Sequence, residues 1–219
     1  MERTQKIYTT GADPEDAKRA MIMLHGRGSD INDMKSVIPS LRLKSDTYII
    51  LPEAPLEIMP GRYAWYSHFW NEQLEDNLSQ LENSFSVINA CIQNLEENNL
   101  KVEDTILLGH SQGGNLLLEY IAAYPNAFKA VIILRGCFLG EHARDRHFKK
   151  KVDRRTRFIL HAGRRDPYIP AKKFDQTVAI LEKLGASRIH RKQFDAGHGI
   201  CRQELNDIKK MLKENFVNV

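Results

Sequence analysis

The residues with the clearest potential for chemistry form a short, glycine-flanked run in the middle of the chain. Gly109-His110-Ser111-Gln112-Gly113 has the pattern G-x-S-x-G, in which a serine occupies a tight turn between a strand and a helix. Such a turn lifts the hydroxyl of Ser111 out of the sheet and leaves the amide of Gln112 free to face the oxygen of a reacting carbonyl. Because a helix-capping serine also fits the pattern, the prediction of a nucleophile requires partner residues.

An acid and a base follow Ser111 in separate loops. Asp166 comes after the apolar run 157–160, and His198 lies between two glycines after the more polar segment 188–194. Each of them alone fits an ordinary turn. Ser, Asp and His, each just beyond a strand, stand in the order that one class of serine hydrolases uses. We therefore predict Ser111 as nucleophile, His198 as general base and Asp166 as the residue that orients the base.

The loop after an early apolar run predicts the second half of an oxyanion hole. His25-Gly26-Arg27-Gly28 directly follows the run 20–24, and we assign the second amide donor to Arg27 beside that of Gln112. A phosphate-binding turn is the alternative, but no Gly-Lys-Ser/Thr follows and the third glycine of a dinucleotide motif is missing.

The remaining histidines are interpreted as structural. His25 is expected to hold its loop by hydrogen bonding, His110 to pack beside the serine turn, and His161 to be a buried, hydrogen-bonded residue. Their spacing does not match a zinc motif such as two histidines on one helix face. We predict neither a catalytic metal nor an organic cofactor.

The apolar patterning predicts the elements that must position these loops. Short continuous apolar runs at 20–24, 47–51, 105–108, 130–134 and 157–160 are typical of strands buried on both faces. Helical spacing appears in the stretches between them, at 74–95, 115–123, 174–184 and 205–212. The pattern predicts one α/β domain over residues 1–219, with a mostly parallel sheet, helices on both faces, and ligands beyond the carboxyl ends of the strands.

The composition of the chain argues against a membrane-spanning protein and against an exported one. The 219 residues carry a net charge of +4 and a hydrophobic fraction of 42%, with no run long enough to span a bilayer. The first residues lack the apolar core of a signal peptide, and three widely spaced cysteines favour reduced thiols, so a cytoplasmic protein is predicted. The basic segment 142–157 is interpreted as a solvated connection, and no nucleic-acid partner is expected.

With these residues identified, the chain resembles the phospholipase/carboxylesterase family of α/β-hydrolases, which includes the acyl-protein thioesterases. The resemblance rests on motifs spread over the whole chain, and the Ser-Gln-Gly-Gly element is the most discriminating. The motifs are Leu24-His25-Gly26-Arg27-Gly28, Pro52-Glu53-Ala54-Pro55, Trp65-Tyr66, Gly109 to Gly114, Gly163-Arg164-Arg165-Asp166 with Pro170, and Gly197-His198. The resemblance implies the same triad and oxyanion residues, and it implies Gly26 and Trp65 as substrate-binding residues, with Trp65 bordering the acyl or alcohol pocket.

The chain also departs from the family pattern. His110 stands where an aromatic residue such as Phe is usual, Ser67 where an acid is common, and Arg135 where a small residue, often Ser, is usual. These changes leave the reaction unaltered and leave the substrate open, so a protein-palmitoyl substrate is not inferred. One hypothesis is that Arg135 and the basic segment favour anionic substrates.

The resulting expectation is hydrolysis of small or medium carboxylic esters or thioesters through an acyl-enzyme intermediate. A lactone or dienelactone hydrolase and a non-catalytic binding protein on the same scaffold are the alternatives. Modest connections at 56–71 and 136–157 predict an open cleft, in which aromatic side chains either form an apolar wall or pack on the core. These side chains are Tyr63, Trp65, Tyr66, Phe69 and Trp70. A homodimer stays open, because many relatives are dimeric and no interface is specified.

Overall fold

A seven-stranded sheet forms the centre of the computed structural model, which describes residues 6–67, 74–139 and 151–216. The strands are β1 (Ile7–Gly11), β2 (Arg19–Leu24), β3 (Thr47–Pro52), β4 (Leu56–Met59), β5 (Arg62–Ala64), β6 (Thr105–His110), β7 (Ala130–Leu134), β8 (Arg157–Gly163) and β9 (Ile189–Phe194). The helices are α1 (Ile31–Leu41), α2 (Leu74–Glu97), α3 (Gln112–Ala123), α4 (Ala171–Lys183) and α5 (Arg202–Phe216).

The sheet has the order β1-β3-β2-β6-β7-β8-β9, with β4 and β5 forming a separate hairpin. Strand β1 pairs antiparallel with β3, and the other neighbours are parallel. The apolar runs of the sequence coincide with β2, β3, β6, β7 and β8, because a strand covered on both faces excludes polar side chains from either face. The prediction of a mostly parallel sheet is confirmed.

Helices cover both faces of this sheet, as predicted. On one face α2, α3 and α4 enclose the larger apolar cluster, which includes Phe85, Leu117 and Phe174. On the other face α1 and α5 enclose a second cluster, which includes Met34 and Ile208. The carboxyl ends of the parallel strands therefore open at one edge, where the loops that follow them meet.

The apolar patterning did not predict β1, the β4–β5 hairpin or α1. Helix α1 contains Pro39, a residue that usually ends or kinks a helix. Its start carried a readable signal, because the Asp30 side chain accepts hydrogen bonds from the amides of Asn32 and Asp33. This omission matters for the site, because α1 forms one side of the cavity described below.

Two further sequence predictions concern the chain as a whole. Cys91, Cys137 and Cys201 carry free thiols, as predicted, and burial raises the pKa of Cys91 to about 12. Within the described ranges no helix combines the length and the apolar character needed to cross a membrane.

Candidate active site

Ser111 lies at the sharp turn between β6 and α3. Its backbone has φ 52° and ψ −119°, a conformation that is strained for a residue with a side chain. The two motif glycines are needed for close packing around this turn. A Cβ on Gly109 would lie 2.6 Å from the carbonyl oxygen of Gly113, and one on Gly113 would lie 2.6 Å from that of His25. The turn thus depends on glycine at both positions, as the motif predicts.

The three residues predicted from chain order lie in one hydrogen-bonded line. His198 Nε2 lies 2.8 Å from the Ser111 hydroxyl oxygen, and His198 Nδ1 lies 2.8 Å from Asp166 Oδ2. Ser111 follows β6, Asp166 follows β8 and His198 follows β9, so the carboxyl ends of three strands of the same sheet deliver them to one edge, with β7 between β6 and β8. With the His198 Nδ1 proton donated to the carboxylate, Nε2 is left to accept the serine proton.

Asp166 is held as a carboxylate by its neighbours. Its other oxygen, Oδ1, accepts hydrogen bonds from the amides of Tyr168 and Ile169, at 2.8 and 3.1 Å. Burial raises the pKa of Asp166, but the hydrogen bond from His198 and the two amides outweigh it and lower the pKa below its ordinary value. The acid is therefore ionised at neutral pH.

A cavity of about 470 Å³ opens in front of Ser111 and His198. Gly26 and Arg27, for which substrate-binding and oxyanion roles were predicted, line this cavity. Gly26 is close to the nucleophile, since a Cβ there would lie 3.3 Å from the Ser111 Cβ. The Gln112 amide is the first of α3, and the first amides of a helix have no acceptor within it. Helix α1, which the apolar patterning did not predict, supplies another wall of the cavity, including Met34 and Val37.

The His25 ring fixes the loop that carries Gly26 and Arg27. Its Nδ1 donates to the Gly26 carbonyl at 2.8 Å, and its Nε2 accepts from the Ala54 amide at 3.1 Å. Burial lowers the pKa of His25, so the ring is neutral in this role. The interpretation of His25 as a loop-holding residue agrees with these contacts.

Trp65 does not border the cavity, in contrast to the role that the family resemblance implied. Its side chain is fully buried in the larger apolar cluster, and its indole N–H donates to the His25 carbonyl at 2.8 Å. Its amide donates to the side-chain oxygen of Gln112 at 2.9 Å. Trp65 therefore connects the two loops that carry the predicted oxyanion amides, and its influence on substrate is indirect.

The neighbouring aromatic residues also pack on the core. Tyr63 and Tyr66 are buried, and the Tyr66 carbonyl accepts from the Gln112 amide group at 2.7 Å. Of the two alternatives for the aromatic cluster, core packing is correct for the three residues that the structure describes. Phe69 and Trp70 lie outside the described ranges. Gln112 thus has a structural use, because its side chain anchors the 65–66 segment to the start of α3.

Arg135 does not face the cavity, which contradicts the hypothesis that it favours anionic substrates. The side chains of Arg135 and Glu204 are both 0% exposed, and Nη1 lies 2.5 Å from Glu204 Oε1. Its Nε donates to the Gly197 carbonyl at 2.9 Å and its Nη2 to that of Gly199 at 3.4 Å. The guanidinium therefore holds the loop on both sides of His198.

His110 and Tyr168 contact His198 from two further directions. The His110 Nε2 donates to the His198 carbonyl at 3.0 Å, and burial lowers the pKa of His110, so it stays neutral. The exposed Tyr168 ring lies edge-on at 4.9 Å from the His198 ring. His110 does pack beside the serine turn, and its hydrogen bond is one that a phenylalanine at this position could not make.

Only the last part of the basic segment belongs to the residues that the structure describes. Residues 142–150 lie outside the described ranges. Within 151–157, Arg155 forms an exposed ion pair with Asp153 at 2.9 Å, which is typical of a solvated connection.

Comparisons with known proteins identify the family and the fold that this chain shares. The chain matches the phospholipase/carboxylesterase family over residues 8–216. Acyl-protein thioesterase 1 of Kluyveromyces lactis is 24% identical over 217 aligned positions, which cover 91% of this chain and 93% of the relative. The crystal structure of a phospholipase/carboxylesterase from Dyadobacter fermentans superimposes with a TM-score of 0.84 at 23% identity, covering 98% of this chain and 99% of that chain. Esterase PE8 superimposes with a TM-score of 0.80 at 26% identity, covering 97% and 100%.

A mostly parallel sheet with helices on both faces and a strained serine turn after β6 defines an α/β-hydrolase. Within that class the chain belongs to the phospholipase/carboxylesterase family and is a hydrolase of the carboxylesterase/thioesterase type.

Proposed function

We propose that the protein is a serine hydrolase that cleaves carboxylic esters or thioesters of small to medium acyl chains. The observation that carries the proposal is the line from Ser111 through His198 to Asp166, with both hydrogen-bond distances at 2.8 Å, at the wall of a cavity. The cavity volume of about 470 Å³ falls within the usual range for small-molecule sites and supports the limit on acyl size.

The mechanism follows from this geometry. A serine hydroxyl is a weak nucleophile at neutral pH, so His198 Nε2 takes its proton as the oxygen of Ser111 attacks the carbonyl carbon. Asp166 stabilises the imidazolium, and the amides of Arg27 and Gln112 bind the oxyanion, each contributing on the order of 10²–10³ in rate. His198 then protonates the leaving alcohol or thiol. Water, activated by the same base, releases the acid and regenerates Ser111.

The alternatives have less support. A dienelactone-type enzyme usually has a cysteine nucleophile, whereas the turn carries Ser111. The cysteines do not line the cavity, and burial raises the pKa of Cys137 to about 11. A non-catalytic binding protein on this scaffold generally lacks a triad residue, and here all three are present.

Labelling with a fluorophosphonate probe tests the proposal. We expect folded protein to be labelled at Ser111, and Ser111→Ala to lose both the label and ester hydrolysis, by roughly 10⁶-fold in kcat. A series of p-nitrophenyl esters and acyl thioesters of increasing chain length would then measure the preferred acyl group. An unlabelled wild-type protein, or a Ser111→Ala variant that still hydrolyses esters, would refute the assignment of the nucleophile.

The sequence predictions about location and partners stay predictions. They are a cytoplasmic location and the absence of a nucleic-acid partner. Whether the protein forms a homodimer stays open. No charge preference is proposed, because Arg135 is paired with Glu204 away from the cavity.

A further inference from the structure

A second cluster of chemically active side chains lies on the sheet face covered by α5. His161 near the end of β8, His190 in β9 and Asp207 in α5 converge on one point. The Nε2 atoms of both histidines lie 3.0 Å from Asp207 Oδ2, and the three ligand atoms all lie within 4.8 Å of one another. Since Ile159 pairs with His190 and His161 with Lys192, the register puts both histidines on the same face of the sheet. None of these residues lines the cavity at Ser111.

The three ligand atoms form a set typical of a borderline divalent transition metal. Two imidazole nitrogens and one carboxylate oxygen suit Zn²⁺ and its neighbours, whereas Mg²⁺ and Ca²⁺ prefer oxygen ligands alone. Zinc–ligand distances of about 2.0–2.1 Å in a tetrahedron separate the ligand atoms by about 3.3 Å. The two nitrogen–oxygen separations of 3.0 Å are a few tenths of an ångström shorter, and the two nitrogens lie within 4.8 Å of each other. We propose that His161, His190 and Asp207 form a non-catalytic binding site for a zinc-like divalent ion.

The surroundings of His161 give an independent reason for this assignment. The side chain is fully buried, and among the described residues its Nδ1 has no hydrogen-bond partner. Glu204 Oε1 lies 3.6 Å from this nitrogen. In a neutral ring whose Nε2 donates to Asp207, the Nδ1 lone pair faces a carboxylate oxygen, which is unfavourable. A metal on Nε2 reverses this arrangement, because the ring proton then resides on Nδ1 and points towards Glu204.

Asp207 is also oriented by a hydrogen bond from outside the proposed ligand set. Asp207 Oδ1 accepts a hydrogen bond from the Lys192 ammonium, which leaves Oδ2 as the single oxygen for the metal. Metal-binding carboxylates and histidines are commonly held by hydrogen bonds of this kind. The side chains of His190 and Asp207 are 33% and 11% exposed, so the ion has a path from solvent and a water can fill the fourth position. The site joins β8, β9 and α5 and has no part in the reaction at Ser111.

Titration of the full chain with metal after chelator treatment tests the site. We expect one equivalent of Zn²⁺ to bind with saturation, and Co²⁺ to give the visible bands of nitrogen and oxygen ligands without a thiolate charge-transfer band. His190→Gln and Asp207→Asn should each weaken Zn²⁺ binding at least tenfold. Arg191→Gln is the matched control, since Arg191 is exposed, directly follows His190 and points to the other face of the strand. This control should bind like wild type.

A second measurement covers the case in which Asp207→Asn does not fold. Long-range ¹H–¹⁵N spectra of the imidazole rings should show the His161 proton moving from Nε2 to Nδ1 when Zn²⁺ is added to wild-type protein. Failure to bind a stoichiometric ion, or binding that is unchanged in His190→Gln, overturns the proposal. An unchanged His161 tautomer in the presence of bound Zn²⁺ also overturns it, because the ion must then lie elsewhere.

Discussion

Removing the buried charge of Arg135 should separate its effect on stability from its effect on catalysis. Arg135→Met leaves the Glu204 carboxylate buried with one hydrogen bond among the described residues, from the Cys201 amide at 3.2 Å. An uncompensated buried charge of this kind costs about 3–5 kcal/mol. That loss is a large share of the 5–15 kcal/mol that typically stabilises a protein. Glu204→Met should cost a similar amount, because it leaves the guanidinium without its counterion.

The double variant Arg135→Met/Glu204→Met should behave differently in the two assays. Replacing a buried ion pair by apolar side chains of similar volume is often neutral, so we expect unfolding free energy within about 3 kcal/mol of wild type. The carbonyls of Gly197 and Gly199 nevertheless lose their donor on both sides of His198. A displacement of the base by about 1 Å can cost 10²-fold in rate, so kcat/KM should stay well below wild type, by tenfold or more.

Urea unfolding and p-nitrophenyl acetate hydrolysis, measured on the same preparations, check both parts. Arg155→Met is a suitable control, because its ion pair with Asp153 lies at the surface and its loss should leave the unfolding free energy close to that of wild type. A double variant with wild-type kcat/KM would refute the idea that Arg135 positions His198. Additive losses of stability in the two single variants would refute the buried pair itself.

Two further predictions concern residues around the serine turn. His110→Phe removes a donor to the His198 carbonyl and should lower kcat/KM by about fivefold, the equivalent of about 1 kcal/mol. The same substitution should also reduce the decrease in unfolding free energy at acid pH. Burial lowers the pKa of His110 below 6.5 in the folded protein. As the pH falls below 6.5, the unfolded chain therefore binds a proton at this histidine before the folded protein does, and the unfolding free energy decreases. Equal slopes of unfolding free energy against pH in wild type and His110→Phe would contradict this. Gly113→Ala should prevent formation of the turn, because its Cβ would lie 2.6 Å from the His25 carbonyl oxygen; recovery of soluble, active Gly113→Ala protein would show that the backbone can adapt.

Protonation of Asp166 should make a second contribution to the decrease in unfolding free energy at acid pH. The pKa of its carboxyl is lowered in the folded state, so its contribution is complete above the unfolded pKa of about 3.9 and is lost as the pH falls through the folded value. Asp166→Asn should remove this component, measured as unfolding free energy between about pH 5 and 2. A wild-type slope in that variant would indicate that other carboxylates dominate.

Much of the fold and the line of three residues could be predicted because both depend on local signals. A buried parallel strand needs a continuous apolar run, and five such runs coincide with strands. The serine turn depends on Gly109 and Gly113 at fixed offsets, and chain order supplies Asp166 and His198 beyond later strands. Helix α1 was harder to predict, because Pro39 inside it is a residue that usually ends or kinks a helix.

The errors share a different cause, namely that the partner of a side chain is set by tertiary structure. Trp65 follows the family motif in sequence, yet hydrogen bonds to His25 and Gln112 take it into the core. The three residues of the second cluster are likewise separated by 29 and 17 positions in the chain, so no local spacing reveals them. A motif of two histidines on one helix face is only one of the ways in which a fold can assemble metal ligands.

Arg135 and Glu204 lead to a prediction about relatives of this chain. An arginine at position 135 is buried because β7 ends beneath the loop of His198, and a buried guanidinium without a counterion is strongly unfavourable. Glu204 is 69 residues away in sequence but meets Arg135 within hydrogen-bond distance. Relatives that carry arginine at this position should therefore carry a carboxylate at the position of Glu204, whereas those with a small residue there should not require one. An alignment of the family would refute this reasoning if arginine occurred as often with apolar as with acidic residues at the second position.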